Sequence, residues 1–153
     1  MPQPERQNPC PGVLIQDDGP TIVFLTVLTA DRGRWLACDD NHRLIRDAWQ
    51  EADAWITGHY LLMPDHLHLF CSPVSVEFSI EQWITFWKSR FSKRHRQPDW
   101  TWQSRGWHHR MRTGESYAET QHYMWQNPVR AGLVAKPEDW PWQGKLHDLI
   151  WRE

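Results

Sequence analysis

His66 and His68 stand one residue apart in Tyr60-Leu-Leu-Met-Pro-Asp-His-Leu-His-Leu-Phe70, a run that otherwise reads as a buried strand. Strand side chains alternate between faces, so both imidazoles share one face while Leu67 and Leu69 take the other. Two rings about 7 Å apart along a strand can converge on one divalent ion. Two hydrogen-bonded core histidines are the alternative, and spacing alone does not decide between them. Asp65, just before the pair, can orient a histidine from behind or cap the turn before the strand.

A second pair lies far along the chain. Asn127 follows Tyr123 by four residues, one helical turn, and therefore points from about the same helix face. Its side-chain oxygen could complete a site begun by His66 and His68. Two imidazoles and one amide oxygen, with water and phosphate oxygens, suit Mg²⁺ or Mn²⁺, and the nitrogens favour Mn²⁺. Asn127 also precedes Pro128, a position biased away from helical geometry, so it reads equally as the end of a helix.

Charge supplies the third feature. The formal net charge is only −2, yet Lys88 to Arg112 holds eight Lys or Arg residues against one acid, Asp99. Residues 1 to 58 hold nine acids against five bases, so the charges are segregated, and the basic side is suited to a phosphate backbone. A solvated helix face accounts for Lys88, Arg90, Lys93, Arg94 and Arg96 taken alone. Trp100, Trp102 and Trp107, however, are interleaved with Arg105, Arg110 and Arg112, and aromatics beside cations suit single-stranded bases. Arg130 is available to meet a further phosphate.

The elements that must position these residues alternate. Residues 1 to 19, with Pro2, Pro4, Pro9 and Pro11, read as a flexible leader. Thr21–Thr29 is a β-branched strand, followed by a turn around Asp31 to Gly33 and a helix over His42–Ala54. Trp55–Leu62 and Leu67–Ser72 are strands divided at Met63-Pro64-Asp65. Ser79 caps a helix from Ile80 to about Arg94, in which Trp83 and Trp87 face the core. Trp107–Met111 supplies another strand, and Ser116 caps a helix through Tyr123. Gly132 is a chain-reversal residue. Trp140-Pro-Trp142 is a buried clasp, and the tail from 144 to 153 carries no clear signal. Strand, helix, strand, strand, helix, strand is the order of an α+β, ferredoxin-like antiparallel sheet with helices packed on one face.

A chain of 153 residues, 40% hydrophobic, buries one core and leaves no room for a second large domain, so residues 20 to 143 are expected to form it. Three cysteines without Cys-x-x-Cys spacing exclude a disulfide framework and a cysteine zinc site, and fit a reducing, cytoplasmic setting. The longest apolar run, Ile22 to Ala30, is too short to cross a bilayer, and no signal-peptide pattern opens the chain.

These blocks together bear a resemblance. His66-Leu67-His68 matches the His-hydrophobic-His motif of single-strand DNA nucleases and transposases. Tyr60 to Asp65, Trp102-Gln103, Tyr123 to Val134 and Trp140 to Trp142 recur in the same order in the REP-associated tyrosine transposases. The resemblance covers roughly residues 20 to 142. It implies that Tyr123 attacks single-stranded DNA, leaving a 5′-phosphotyrosyl enzyme and a free 3′-hydroxyl, with a divalent ion held by His66, His68 and Asn127. A phenol with an ordinary pKa near ~10 needs a metal, a base or positive charge for that attack at neutral pH. The implied partner is single-stranded or hairpin DNA, and the resemblance favours a monomer while leaving a dimer open. Two other readings stay open: a catalytically silent protein that binds repeat hairpins, and an unrelated metal-dependent hydrolase.

Overall fold

In the computed structural model, residues 21–75, 77–104 and 106–150 are described. The expected leader and Arg105 lie outside them. The element order is β1 (Val23–Leu28), α1 (Asp39–Glu51), β2 (Trp55–Met63), β3 (His66–Pro73), α2 (Ile80–His95), β4 (Trp107–Arg110), α3 (Gly114–Trp125), α4 (Asn127–Arg130) and β5 (Gln143–Lys145), with short 3₁₀ turns at Ala30–Arg32 and Pro137–Asp139. The strands form one sheet in the order β4-β1-β3-β2-β5, and all its pairings are antiparallel. Its first four strands have the ferredoxin-like order expected from the sequence. β5 is an addition at the β2 edge, formed where the chain beyond Trp142 offered no reading.

Alternation along β1 and β3 sends two sets of side chains to two cores. Val23, Leu25 and Val27 meet Leu67, Leu69 and Cys71 under α1 and α2, where Ile45, Trp49, Trp83, Trp87 and Phe91 are buried against them. Ile22, Phe24 and Phe70 face the other way and pack with Leu61, Met63, Met111, Trp140 and Met124 of α3. α1 and α2 thus cover one face, as expected, while α3 lies against part of the other. Most positions of β1 to β3 are buried, which suits their long β-branched and leucine-rich runs.

Local chemistry explains most boundaries. Ser79 Oγ accepts from Gln82 N at 3.1 Å and Gln82 Oε1 accepts from Ser79 N at 2.9 Å, a capping box that starts α2 at Ile80. α1 starts at Asp39 rather than His42 and stops at Glu51, where Ala52 leaves helical dihedrals. Asp39 and Asp40 favour that earlier start, because carboxylates interact well with the unpaired N–H groups of a first turn. α3 is capped by Thr113 and not by Ser116. Thr113 has the extended backbone a cap requires, and its side chain accepts from Ser116 N. Trp140 is buried as expected, its indole N–H donating to Leu62 O at 2.8 Å. Gly132, at φ +75°, turns the chain after α4 in a conformation side chains resist.

Candidate metal and tyrosine site

β3 begins at His66 because Pro64 and Asp65 turn the chain between β2 and β3, and Pro64 donates nothing to the ladder. Residue parity then puts His66 and His68 on the α3 face, opposite Met63 and Leu61 of β2 and Leu28 and Thr26 of β1. Their ring centroids are 4.9 Å apart at an interplanar angle of 79°. Phe24 stacks on His68 at 5.2 Å and forms an apolar wall behind it.

Each ring is held through its Nδ1. His66 Nδ1 lies 2.7 Å from Asp65 Oδ1, and His68 Nδ1 lies 2.8 Å from Thr26 Oγ1. With Nδ1–H donating to these oxygens, both Nε2 atoms are left with a free lone pair, the tautomer a metal ligand needs. Burial pushes the His66 pKa down, against the raising effect of Asp65, and burial with the charges of His66 and Arg130 pushes His68 well below its ordinary value. Neutral imidazoles at pH 7 follow from this. Burial would raise the Asp65 carboxyl, but its contacts with His66 and Arg32 outweigh that and hold it below the usual value.

Asn127 joins the pair. Its Nδ2 lies 3.3 Å from His66 Nε2, which places the amide at the ligating edge of the imidazole. An amide nitrogen is not a ligand, so coordination requires its oxygen to be turned toward the histidines. α3 stops at Trp125 and Asn127 opens α4, with Gln126 between them at right-handed helical dihedrals. Among the described residues no three His, Cys, Asp or Glu side chains gather to hold a metal ion, and the polar side chain beside the two histidines is this amide. Two Nε2 atoms and an amide, beside space open to phosphate oxygens, suit Mn²⁺ or Mg²⁺.

Tyr123 is half-buried on α3. The Arg130 guanidinium lies over its ring, 3.6 Å from the centroid, and Arg130 Nη1 donates to Tyr123 O at 2.9 Å. The same arginine helps to depress the His68 pKa, after burial and His66, so one cation lies against the tyrosine and within electrostatic reach of His68. An open groove of about 690 Å³ runs along this side, lined by Ala118, Glu119, His122, Tyr123, Gln126 and Arg130. Tyr117 instead packs its ring edge against Phe70, at 4.9 Å.

The remaining basic residues disperse. Lys88 is half-buried and donates to Gln103 O at 3.0 Å, and Arg94 pairs with Glu51 of α1. Arg90 is exposed and sits over the Phe86 ring, and Lys93 is exposed on the same helix. These four belong to the α2 layer, across the sheet from the histidines. Arg110 ends β4, and Arg112 is exposed just beyond it. Arg130 is a basic residue from that set that the fold brings onto the tyrosine. Two partners of the histidines escaped the sequence reading. Thr26 is 42 residues from His68, and Arg32, which pairs with Asp65, is 33 residues from it. Neither carries a local signal, because only the β1–β3 register and the turn after β1 bring them there.

No family model matches the chain. A Haemophilus influenzae protein assigned as a REP-associated tyrosine transposase is 25% identical over 144 residues, spanning 84% of this chain and 81% of its own length. An Escherichia coli REP-associated tyrosine transposase is 29% identical over 105 residues, spanning 68% of this chain and 59% of its own length. A solved structure of a REP-associated tyrosine transposase bound to a REP hairpin superposes with a TM-score of 0.73 at 21% identity, covering 92% of this chain and 81% of that one.

Proposed function

We infer that this chain, a homologue of the REP-associated tyrosine transposases in sequence and in fold, is a transposase that binds and cleaves DNA at hairpin-forming repeats. The observation that carries the reading is the gathering of His66, His68 and Asn127, with Tyr123 four residues before Asn127 in the chain and covered by Arg130. Fold likeness alone would not support it, since one fold serves many chemistries.

In this reading Tyr123 is the nucleophile. Its phenolic oxygen forms a bond to the scissile phosphorus, and the P–O3′ bond breaks. The departing 3′ oxygen ends as a hydroxyl, matching the proton lost from the phenol. The product is a 5′-phosphotyrosyl enzyme, whose phosphodiester energy is conserved, so that a second 3′-hydroxyl can reverse the step without a nucleotide cofactor. A divalent ion, Mn²⁺ or Mg²⁺, held by His66, His68 and Asn127, would supply Lewis-acid polarisation of the scissile phosphate. Asp65 and Thr26 keep the two imidazoles in the ligating tautomer. Arg130 holds the phenol ring and provides positive charge for the phosphate between tyrosine and histidines. The other basic residues, Lys88, Arg90, Lys93, Arg94, Arg105, Arg110 and Arg112, would contact DNA flanking the cleaved bond, with Lys88 and Arg94 limited by their present bonds.

The deciding experiment uses a single-stranded oligonucleotide carrying the palindromic repeats that flank the coding sequence, with Mn²⁺ or Mg²⁺, run on a denaturing gel. The expected result is a protein–DNA adduct that needs the metal and disappears in Tyr123→Phe. An adduct that persists in Tyr123→Phe would mean another nucleophile. Metal-dependent hydrolysis without an adduct would favour a hydrolase, and tight binding without turnover a silent DNA-binding protein.

A further inference from the structure

The turn after β1 is an unusual place for an arginine. Asp31 and Arg32 both sit in the left-handed region, at φ +54° and +55°, a conformation that residues with side chains avoid. Such backbone persists only where its surroundings over-determine it. Here Ala30 N donates to Thr101 O at 2.8 Å, Thr29 Oγ1 lies within reach of Gly33 O at 2.8 Å and of Asp65 O at 3.0 Å, and Thr29 N also donates to Asp65 O. The turn is thus fastened to the Pro64–Asp65 turn that launches His66.

The Arg32 side chain completes this fastening. Nε and Nη2 both lie 2.9 Å from Asp65 Oδ2, while the other carboxylate oxygen, Oδ1, faces His66 Nδ1 at 2.7 Å. More than half of the Arg32 side chain is exposed, and an ion pair in that setting adds little to stability. Its geometry offers a different use. With Oδ2 engaged by two guanidinium N–H groups, Asp65 cannot rotate without losing both, and Oδ1 stays in line with the His66 ring. A freely rotating Asp65 would let His66 adopt the other neutral tautomer, in which Nε2 bears the proton and cannot bind a metal.

We propose that Arg32 is a positioning residue for the metal site, acting through Asp65 to fix the tautomer and orientation of His66. The proposal rests on the reading of His66, His68 and Asn127 as metal ligands. It concerns a residue 34 positions before His66 that no motif marks.

The test uses the full chain, purified without metal, as wild type, Arg32→Met, Arg32→Lys, Asp65→Ala and Arg32→Met/Asp65→Ala. Histidine ¹⁵N NMR spectra report the His66 tautomer in the metal-free protein, and loss of the free Mn²⁺ EPR signal reports affinity. Expected are a single Nδ1–H tautomer in wild type, mixed tautomers with about tenfold weaker Mn²⁺ binding in Arg32→Met, and partial recovery in Arg32→Lys. Arg32→Met should add no further loss once Asp65 is alanine. Unchanged tautomer and affinity in Arg32→Met would overturn the role of Arg32, and so would full additivity of the two substitutions. A wild type whose tautomer responds to Arg32 but which takes up no Mn²⁺ would overturn the metal reading, and this proposal with it, by a different signature.

Discussion

Thr26 shows how much a single uncharged residue can carry. It is 7% exposed, faces His68 across the β1–β3 pair, and holds Nδ1 at 2.8 Å. Thr26→Val keeps the side-chain shape but leaves a buried imidazole N–H with no acceptor. The expected cost is about 1–3 kcal/mol of folding stability in the metal-free protein, measured by urea denaturation. Mn²⁺ affinity should fall by roughly tenfold or more in the same variant. A variant with normal Mn²⁺ affinity would show that Thr26 only fills space. Tyr123 and Tyr117 make the contrast at this scale, since both are half-buried tyrosines of one helix. One lies under a guanidinium, and the other packs on Phe70.

Among the elements, α2 is the best specified by its own sequence. Its start is fixed by the reciprocal Ser79 and Gln82 bonds, and its buried face by Ile80, Trp83, Trp87 and Phe91. Ser79→Ala removes the hydroxyl that accepts from Gln82 N, and should lower unfolding free energy by about 1 kcal/mol. Because α2 lies across the sheet from the histidines, Mn²⁺ affinity should not change with it. A parallel fall in metal binding would mean that the two layers are more tightly coupled than their separate cores suggest. β5 is the opposite case. Gln143–Lys145 has no strand pattern of its own, and it becomes a strand because β2 offers an unpaired edge that the Trp140–Trp142 clasp brings within reach. Gly144 lies against Tyr60 Oη, where an added Cβ would come within 2.7 Å, so this edge pairing has little tolerance for a side chain.

Across the whole molecule, histidines buried in the neutral form make stability depend on pH. His42, His59, His108 and His109 all have pKa values pushed below the ordinary 6.5, first by burial. Neighbouring positive charge adds to this at three of them, from Arg46 at His42, Lys145 at His59, and His108 with Arg112 at His109, whereas Glu81 opposes it at His108. Below pH 6.5 the unfolded chain takes up protons that the folded chain refuses, so stability falls as pH drops, until the folded values are passed. Denaturation midpoints in chelator at pH 7.5, 6.5 and 5.5 should fall slightly over the first interval, where the unfolded rings begin to protonate, and more steeply over the second. A level midpoint throughout would mean that these rings protonate without penalty in the folded state. Segregated charge is another property of the whole. Arg94 meets Glu51 between α1 and α2, so part of the basic excess read along the chain is neutralised within the fold.

Local pattern alone determined β1 to β4 and the three longer helices to within a few residues at their ends, the core Trp83 and Trp87, the turn that launches β3, and the shared face of His66 and His68. Each depends on periodicity of two or 3.6 residues, or on proline and capping chemistry, all of which act within a few positions. The order of family-like blocks carried the reading of Tyr123, which periodicity could not have supplied. The tertiary structure decided what stands behind the histidines and what stands beside the tyrosine. Thr26 and Arg32 reach the site through strand register and a strained turn, and Arg130 of α4 lies back over Tyr123 of α3. It also decided that the α2 cations lie across the sheet from the histidines. Such long-range neighbours are set by the packing of two cores against one sheet, for which no short stretch of sequence holds the instruction.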